Sequence, residues 1–422
     1  MNCFSTFTHR IRHWSPAVAL LCVAACGVSD SADSGENLEY NVHFVIEPEP
    51  SASSIVVEMN VDQPRGLLRE ISFPAHEHVA LLGGDGELLT FDGRVHWQLP
   101  AAGGTLRWRA QVHSERGDNT FDALLRTSWG VFRMEDIIPR ARARTLKGAA
   151  SRTTMTFDLP PAWSVITEYS AIDDPIVVDR VERRFDQPTG WVAMGDLGVR
   201  RETIAGMHVV VAAPTEHGAR RMDMLALLNW TLPELVAILP DALPRLTIVS
   251  ASAPMWRGGL SGPASFYIHA DRPLISENAT SALLHEVMHT ALRVRPRSGF
   301  DWIAEGLAEY YSIELLRRGN AITAKRAATA MQEQNDWSLN ADSLCGDAST
   351  AATTALAVTL FATLNRELTA ASNGEASLDN VLPLLAGKAV DLDVLTQAAE
   401  SLAGTTLDTL HIDNLPGCRT IP

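Results

Sequence analysis

Hydrophobic and polar residues alternate with a period of two through the first half of the chain. The clearest runs are residues 38–46, 55–61, 106–112 and 155–159. Glycine-rich breaks, such as residues 83–86, separate these runs. Successive side chains of a strand point to opposite faces, so the pattern predicts an antiparallel β domain, a sandwich, over residues 38–213.

The period changes near Pro214. Apolar residues recur at helical spacing over residues 219–239, and two short strands are predicted at 246–250 and 265–269. Two helices follow, within residues 282–294 and 301–318, with Asn278 or Thr280 capping the first and Asp301 the second. Residues 321–422 are rich in Ala and Leu and predict a helical domain. The expected architecture is therefore multidomain α+β.

The first 25 residues predict an export signal. Arg10 and Arg12 precede an apolar stretch, residues 17–25, which is too short to span a bilayer. The stretch ends in Val-Ala-Ala-Cys26, which resembles the bacterial lipoprotein cleavage box and implies lipidation of Cys26. The alternative is an ordinary secretory peptide cut near residue 25. Residues 26–37 would form a flexible tether, so we expect a lipid-anchored protein of the bacterial envelope, on the outer membrane facing the periplasm.

Charge and cysteine content narrow the classes of partner. The formal charge of −15 argues against a nucleic-acid partner, which would require a basic face. Outside the export segment the cysteines are Cys345 and Cys418. In an oxidising compartment two cysteines tend to pair, and two free buried thiols are the alternative.

The segment with the clearest chemistry is His285-Glu-Val-Met-His289, inside an apolar helical run. Two histidines four residues apart lie on one face of a helix, where both imidazoles reach a single zinc ion. Glu286, beside the first histidine, is positioned to deprotonate a water that the metal activates. We interpret the segment as a zinc site with a general base.

The next predicted helix offers a third ligand, Glu305, in an apolar context where a carboxylate needs a partner. Glu309, one turn later, either accepts the free N–H of a ligand histidine or is a surface charge. Tyr310 and Tyr311 follow the ligand too closely to face the metal, so we expect their side chains to pack in the core or at the rim of the cleft. His269 ends a strand and is either a simple strand-end residue or a substrate contact.

These segments resemble the glycyl aminopeptidase family, a gluzincin group related to aminopeptidase N. The resemblance rests on His285-Glu-Val-Met-His289-Thr and on Trp302-Ile-Ala-Glu305-Gly-Leu-Ala-Glu-Tyr-Tyr311, and it covers residues 245–320 well. It implies an all-β N-terminal domain, a thermolysin-like zincin core over residues 214–320, one catalytic zinc and peptide hydrolysis. It also implies that the helices of residues 321–422 wall the substrate cleft.

The chain departs from the family pattern in three places. Only 15 residues separate His289 from Glu305, fewer than in the relatives. Gly258, Gly259, Leu260 and Ser261 look like the glycine-rich substrate-binding loop of these exopeptidases, but Ser261 stands where they place a glutamate. No tyrosine follows Tyr311, although the relatives use a later one to stabilise the oxyanion.

The leading hypothesis is a membrane-tethered zinc peptidase that cleaves peptides or proteins and is not a strict aminopeptidase. The alternative is a zinc-binding, catalytically weak or inactive lipoprotein that binds peptides. The missing tyrosine and Ser261 motivate this alternative, because loss of one transition-state donor typically lowers the rate by about 10²–10³. A purely structural lipoprotein would have no reason to keep the ligands and the base together.

The export signal generates a testable prediction about the anchor. Cys26→Ser leaves the protein unlipidated and uncut by the lipoprotein peptidase, because the lipidated thiol is gone. Metabolic labelling with palmitate measures this, and Cys22→Ser, which removes another thiol of the signal, keeps the label. Absence of label from the wild-type protein would show that the chain is only secreted.

Overall fold

A computed structural model describes residues 38–169, 175–178, 184–240, 243–346 and 348–418. The predicted signal, the lipidation site Cys26 and the tether lie outside these residues. Leu38–Pro422 group into one compact unit. Within the described part of the chain, no helix is both long enough and apolar enough to cross a membrane.

Strands dominate the first half and helices the second. In chain order the strands are β1 (Glu39–Glu49), β2 (Ser54–Asp62), β3 (Leu68–Pro74), β4 (Val79–Gly84), β5 (Glu87–Phe91), β6 (Arg94–Gln98), β7 (Gly103–Gln111), β8 (His113–Gly117), β9 (Thr120–Leu125), β10 (Trp129–Arg133), β11 (Arg142–Thr145), β12 (Ala150–Phe157), β13 (Ser164–Ile166), β14 (Ile176–Val178), β15 (Trp191–Gly195), β16 (Leu197–Ile204), β17 (Met207–Pro214), β18 (Arg245–Ala251), β19 (Gly259–Gly262), β20 (Ser265–His269), β21 (Arg295–Pro296) and β22 (Ala389–Val390).

The period of two is realised in the first of three N-terminal sheets. Alternate side chains of β1 are buried, from Tyr40 and Val42 to Phe44 and Ile46. The sheets have the orders β14-β12-β1-β2-β7-β4, β13-β15-β10-β9-β8 and β11-β3-β6-β5, and one hydrophobic core draws on all three. Pairing is antiparallel as predicted, except that β12 lies parallel to β1. The chain of more than 90 residues between them leaves room for such a crossover.

A five-stranded sheet carries the second half, in the order β16-β17-β18-β20-β19. Strands β17, β18 and β20 run parallel, and β19 lies antiparallel to β20 at the edge. Strand β16 and nearly all of β17 precede the predicted division after residue 213, whereas β18, β19 and β20 of the same sheet follow it. The mixed α+β class is confirmed.

The helices cover one side of this sheet and extend the core. They are α2 (Arg221–Ile238), α3 (Ala282–Leu292), α4 (Asp301–Arg318), α5 (Ala324–Ser338), α6 (Ala351–Ala371), α7 (Leu378–Leu385) and α8 (Leu392–Ala403), whereas the short helix α1 (Met134–Ile137) belongs to the core of the N-terminal sheets. One hydrophobic core joins side chains of α2 to α8 with those of β16, β17, β18 and β20. The bounds of strands β18 and β20 were predicted within one residue of those observed.

The capping residues differ from the prediction. The hydroxyl of Ser281, and not Asn278 or Thr280, accepts the backbone N–H of Leu284 at 3.3 Å at the start of α3. Asp301 begins α4 without capping it, and its carboxylate accepts the backbone N–H of Ser349. A side chain one or two residues away offers the same chemistry to a cap, so spacing alone did not select the right one.

Helix α4 crosses α6 at Gly306. A Cβ on this glycine would lie 2.5 Å from Cβ of Ala357 and 2.9 Å from Cε2 of Phe361. Both distances are too short for carbon atoms, so only glycine allows the two helices to approach this closely. The ring of Trp302 packs on Phe361 one turn earlier, with centroids 5.7 Å apart.

The β8–β9 hairpin of the N-terminal sheets reaches the loop before β19. Phe121 donates its backbone N–H to Pro254 at 3.1 Å and accepts that of Trp256 at 2.9 Å. The guanidinium of Arg116 lies over the Trp256 ring, 3.8 Å from its centroid. The hairpin therefore fixes the loop that leads into the edge strand.

Cys345 and Cys418 are joined by a disulfide, with their Cα atoms 5.0 Å apart. Both cysteines are buried. The bond ties the connection between α5 and α6 to the C-terminal end of the described chain.

Replacing both cysteines by alanine lowers the free energy of unfolding by about 3–4 kcal/mol, because the bond closes a long loop of the unfolded chain. Thermal unfolding of the wild-type soluble part with and without a thiol reductant measures the effect. The Cys345→Ala, Cys418→Ala variant serves as the control, since its melting temperature is insensitive to the reductant. An equal melting temperature for oxidised and reduced wild-type protein would contradict the prediction.

Candidate metal centre

Helix α3 presents two different faces. Leu283, Leu284 and Val287 point into the hydrophobic core and are fully buried. His285 and His289, four residues apart, share the opposite face and are partly exposed. The helix ends at Leu292, where Arg293 takes a left-handed conformation. Burial of the apolar face thus fixes the direction in which both imidazoles point.

Helix α4 brings the third side chain. Trp302, Ile303 and Leu307 are fully buried, and Glu305 lies on the side that faces α3. Its Oε2 lies 3.3 Å from Nε2 of His285, and its Oε1 lies 3.3 Å from Nε2 of His289. The two imidazole Nε2 atoms are 3.0 Å apart. Among the described residues, these three form the only cluster of potential ligands that converges on one point.

These separations fit a tetrahedral metal. Nitrogen and oxygen ligands at zinc distances lie about 3.3 Å from one another in a tetrahedron. The observed separations of 3.0 and 3.3 Å match this spacing. Two imidazoles and one carboxylate are also the ligand set of catalytic zinc sites with an open fourth position. The residues present therefore fit a zinc ion.

Glu309 orients the first histidine. Its Oε2 lies 3.0 Å from Nδ1 of His285, so a hydrogen bond there leaves Nε2 free for a metal. Burial opposes charge on His285, but the hydrogen bonds to Glu305 and Glu309 outweigh it and raise the pKa of His285 to about 10. Burial likewise opposes charge on Glu305, and its bonds to the two histidines nevertheless hold the pKa of this carboxyl below its usual range. The cluster attracts positive charge strongly.

Glu286 lies beside the cluster and under the edge strand. Its side chain is buried, and a Cβ on Gly259 would lie 2.5 Å from its Oε1. Burial raises the pKa of Glu286, and the neighbouring His289 and His285 oppose this rise. A buried carboxylate next to the candidate metal ligands has the environment of a general base.

The predicted loop lines the cleft in front of this cluster. Gly258 and the three residues of β19 that follow, up to Ser261, border a cavity of about 610 Å³ together with Glu286 and the three candidate ligands. A second cavity, of about 690 Å³, shares His285, Glu305 and Glu309 with the first. The candidate metal site therefore lies where two cavities meet.

Other residues considered in the sequence lie elsewhere. The Tyr311 hydroxyl donates to Oδ1 of Asp379 at 2.8 Å, and Tyr310 is buried in the core. The side chain of His269 accepts the backbone N–H of Asp271 at 3.2 Å and does not line the cleft. These three residues take the structural roles that we favoured for them.

Sequence reasoning missed several residues of the cleft. Arg257 and Arg272 line the first cavity, and their positions directly beside the glycine-rich loop and the following strand were an available signal. Glu333, Asp336 and Trp337 of α5 line the second cavity. No motif marks these α5 residues, because only the helix packing brings them near the ligands.

Comparisons with known proteins agree with this fold. No protein-family model and no curated protein matches the sequence. Among solved structures, an aminopeptidase N family protein from Idiomarina loihiensis matches with a TM-score of 0.63 at 13% identity, over 89% of this chain and 74% of that one. A mutant M1 zinc metallopeptidase from Deinococcus radiodurans matches with a TM-score of 0.59 at 13% identity, over 91% and 94%. The predicted relationship to aminopeptidase N is confirmed at the level of the fold.

Loss of a ligand abolishes metal binding. We expect the protein from residue 38 onward to bind one equivalent of zinc and His285→Ala and His289→Ala to bind none, because two remaining ligands hold zinc poorly. Glu309→Gln retains zinc with an affinity lower by about 10–100-fold, since it only orients His285. Elemental analysis after gel filtration measures the content, and competition with a chelator measures the affinity.

His208→Ala provides the control, because it removes an exposed imidazole of β17 outside the cleft. Full zinc occupancy in both ligand variants would refute the site.

Proposed function

We propose that the protein is a zinc-dependent peptidase of the bacterial cell envelope. One observation carries the proposal: three potential ligands converge at tetrahedral separations beside the buried carboxylate of Glu286, in a cleft bordered by an unpaired strand edge. This combination provides ligands for a metal ion, a general base and a surface on which a peptide chain could lie. The solved structures of similar fold include a zinc metallopeptidase.

Each residue of the site has a distinct task. His285, His289 and Glu305 would hold the zinc ion, which when bound supplies a Lewis acid for the peptide carbonyl and for the attacking water. Glu286 accepts a proton from that water and later gives it to the leaving amine. Burial favours this exchange, because the raised pKa of Glu286 makes it a better proton acceptor than an exposed carboxylate.

The edge strand β19 provides the substrate's backbone partner. Among the residues that the structure describes, no strand pairs with its other edge, so we propose that its peptide groups on that side accept an extended chain. Gly259 keeps this strand close to Glu286, since any larger residue would collide with the carboxylate. A peptide paired with β19 would therefore pass directly over the base.

Ser261 argues that a free N-terminus is not required. The relatives place a glutamate there to pair with the substrate amine, and Ser261 offers an exposed hydroxyl without charge. Loss of one partner from a desolvated charge pair typically costs about 2–5 kcal/mol, so this serine cannot supply the same selectivity. We therefore propose that internal bonds or blocked peptides are also cut.

The second candidate is a zinc-binding protein that binds peptides and turns them over slowly or not at all. The orientation of Tyr311 favours it, because this hydroxyl is engaged by Asp379 and no later tyrosine exists in the sequence. Without a phenol, the oxyanion would lose one hydrogen-bond donor. In either case we propose that Cys26 carries the lipid anchor and that the cleft faces the periplasm.

The role of Glu286 distinguishes the two candidates. Glu286→Gln keeps the zinc equivalent of the wild type and lowers kcat by about 10²–10⁴-fold, because it removes the base and no ligand. A peptide library read by mass spectrometry detects the cleavage, and Glu375→Gln, an exposed acid away from the cleft, keeps full activity. Equal activity of wild type and Glu286→Gln would reject the peptidase.

The N-terminal requirement is tested with one peptide in two forms. We expect kcat/KM for the acetylated peptide to lie within about tenfold of that for the free peptide, since position 261 has no glutamate to pair with the free amine. A strict requirement for the free amine would show that another carboxylate, such as Glu333 of the adjoining cavity, takes that role.

A further inference from the structure

Two arginines flank the hairpin formed by β19 and β20. Arg257 precedes β19 and Arg272 follows β20. In the register of this hairpin Gly259 pairs with Ile268, and His269 donates its backbone N–H to Gly258 at 2.9 Å. The entering and leaving chains therefore meet at the same end of the hairpin, and both arginines line the cavity of the metal site.

The guanidinium groups have no acidic partner among the residues that the structure describes. Both side chains are exposed, and neither forms a salt bridge there. The backbone carbonyl of Arg272 accepts a hydrogen bond from the Arg220 side chain at 2.9 Å, so the chain that carries Arg272 is held in place. By contrast, Arg318, close to the same helices, is paired with Asp379 at 2.7 Å.

The carboxylates of the cavity are already engaged. Glu305 bonds to both histidines, Glu309 bonds to His285, and Asp301 accepts the backbone N–H of Ser349. The fourth carboxylate, Glu286, is buried and interacts more strongly with His289 and His285 than with Arg272. The arginine end of the cavity keeps an excess of positive charge.

The adjoining cavity carries the opposite charge. Glu333 and Asp336 line it, and no arginine or lysine does. An anionic group of a peptide would be repelled on that side of the metal site and attracted on the arginine side. The sign of the charge therefore reverses across the candidate metal centre.

We infer that Arg257 and Arg272 bind a carboxylate of the peptide substrate, so that the cleft selects peptides with an acidic group on the edge-strand side of the scissile bond. The inference rests on the proposed function for the cleavage step. The carboxylate belongs either to an Asp or Glu side chain or to the free C-terminus, because a guanidinium fork binds both in the same way.

The exposure of the arginines limits the size of the effect. Ion pairs at a solvent-exposed rim contribute modestly and weaken with salt. Two such pairs acting together predict a preference of about tenfold, and this preference decreases between low and high ionic strength.

The test uses one neutral parent peptide and two series of derivatives. One series carries a single Glu, and the other a single Lys, at each successive position on either side of the bond. The wild type cleaves one Glu derivative about tenfold better than the matching Lys derivative. The Arg257→Glu, Arg272→Glu variant inverts this order, because both cations become anions. Arg366→Glu, an exposed arginine of α6 outside both cavities, leaves the order unchanged.

A second comparison separates the two sources of carboxylate. The parent peptide is tested with a free and an amidated C-terminus. If amidation of the parent lowers its kcat/KM about tenfold in the wild type but not in the double arginine variant, the arginines take the terminal carboxylate. If amidation has no effect and the Glu derivative is still preferred, they take an acidic side chain. Both results support the inference.

Binding keeps the inference separate from the peptidase itself. In zinc-loaded Glu286→Gln protein, fluorescence anisotropy gives Kd values for the same peptides without cleavage. We expect the Glu derivative to bind about tenfold tighter than the Lys derivative, and the double arginine variant to reverse this ratio. A protein that cleaves nothing but shows this ratio rejects the proposed function alone. Equal Kd values for the Glu and Lys derivatives together with equal Kd values for the free and amidated parent peptide, or no binding of any peptide, overturn the inference.

Discussion

The burial of ionisable groups where α3 faces α4 is the constraint on which the site depends. Two carboxylates, Glu305 and Glu309, and two imidazoles lie where α3 faces α4, and the opposite faces of both helices are buried in the hydrophobic core. A charged group in such surroundings is unfavourable unless it is paired, and a single broken pair leaves an uncompensated charge. The helices therefore have few alternative arrangements, and the geometry of His285, His289 and Glu305 follows from that restriction.

Much of this arrangement could be predicted because it is local. The spacing of His285 and His289 on a helix, and the position of Glu305 on the next, determined which side chains could meet. The alternation of β1 and the bounds of β20 were also set by local pattern. By contrast, the true cap of α3 was one of several neighbouring hydroxyls, and only the folded backbone decides among them.

The parts that could not be predicted depend on long-range packing. Strands β16 and β17 lie within the stretch predicted as β, and nothing in their sequence tells which sheet they join. Helix α5 carries Glu333 and Asp336 to the site only because α4 and α6 set its position. The sequence shows Arg257 and Arg272 as two separate charges. Only the register of β19 and β20 shows that both lie at the same end of the hairpin. Ser261 and Tyr311 show the reverse case, since their departure from the family pattern was evident in the sequence alone.

The contact between the β8–β9 hairpin and the loop before β19 makes the N-terminal sheets part of the cleft. Backbone hydrogen bonds of Phe121 and the stacking of Arg116 on Trp256 hold the segment from which the edge strand starts. Local unfolding of the hairpin would release this segment while every metal ligand stayed in place. In the proposed function, movement of this hairpin would therefore change how the edge strand holds a peptide, while the candidate ligands on α3 and α4 keep their separations.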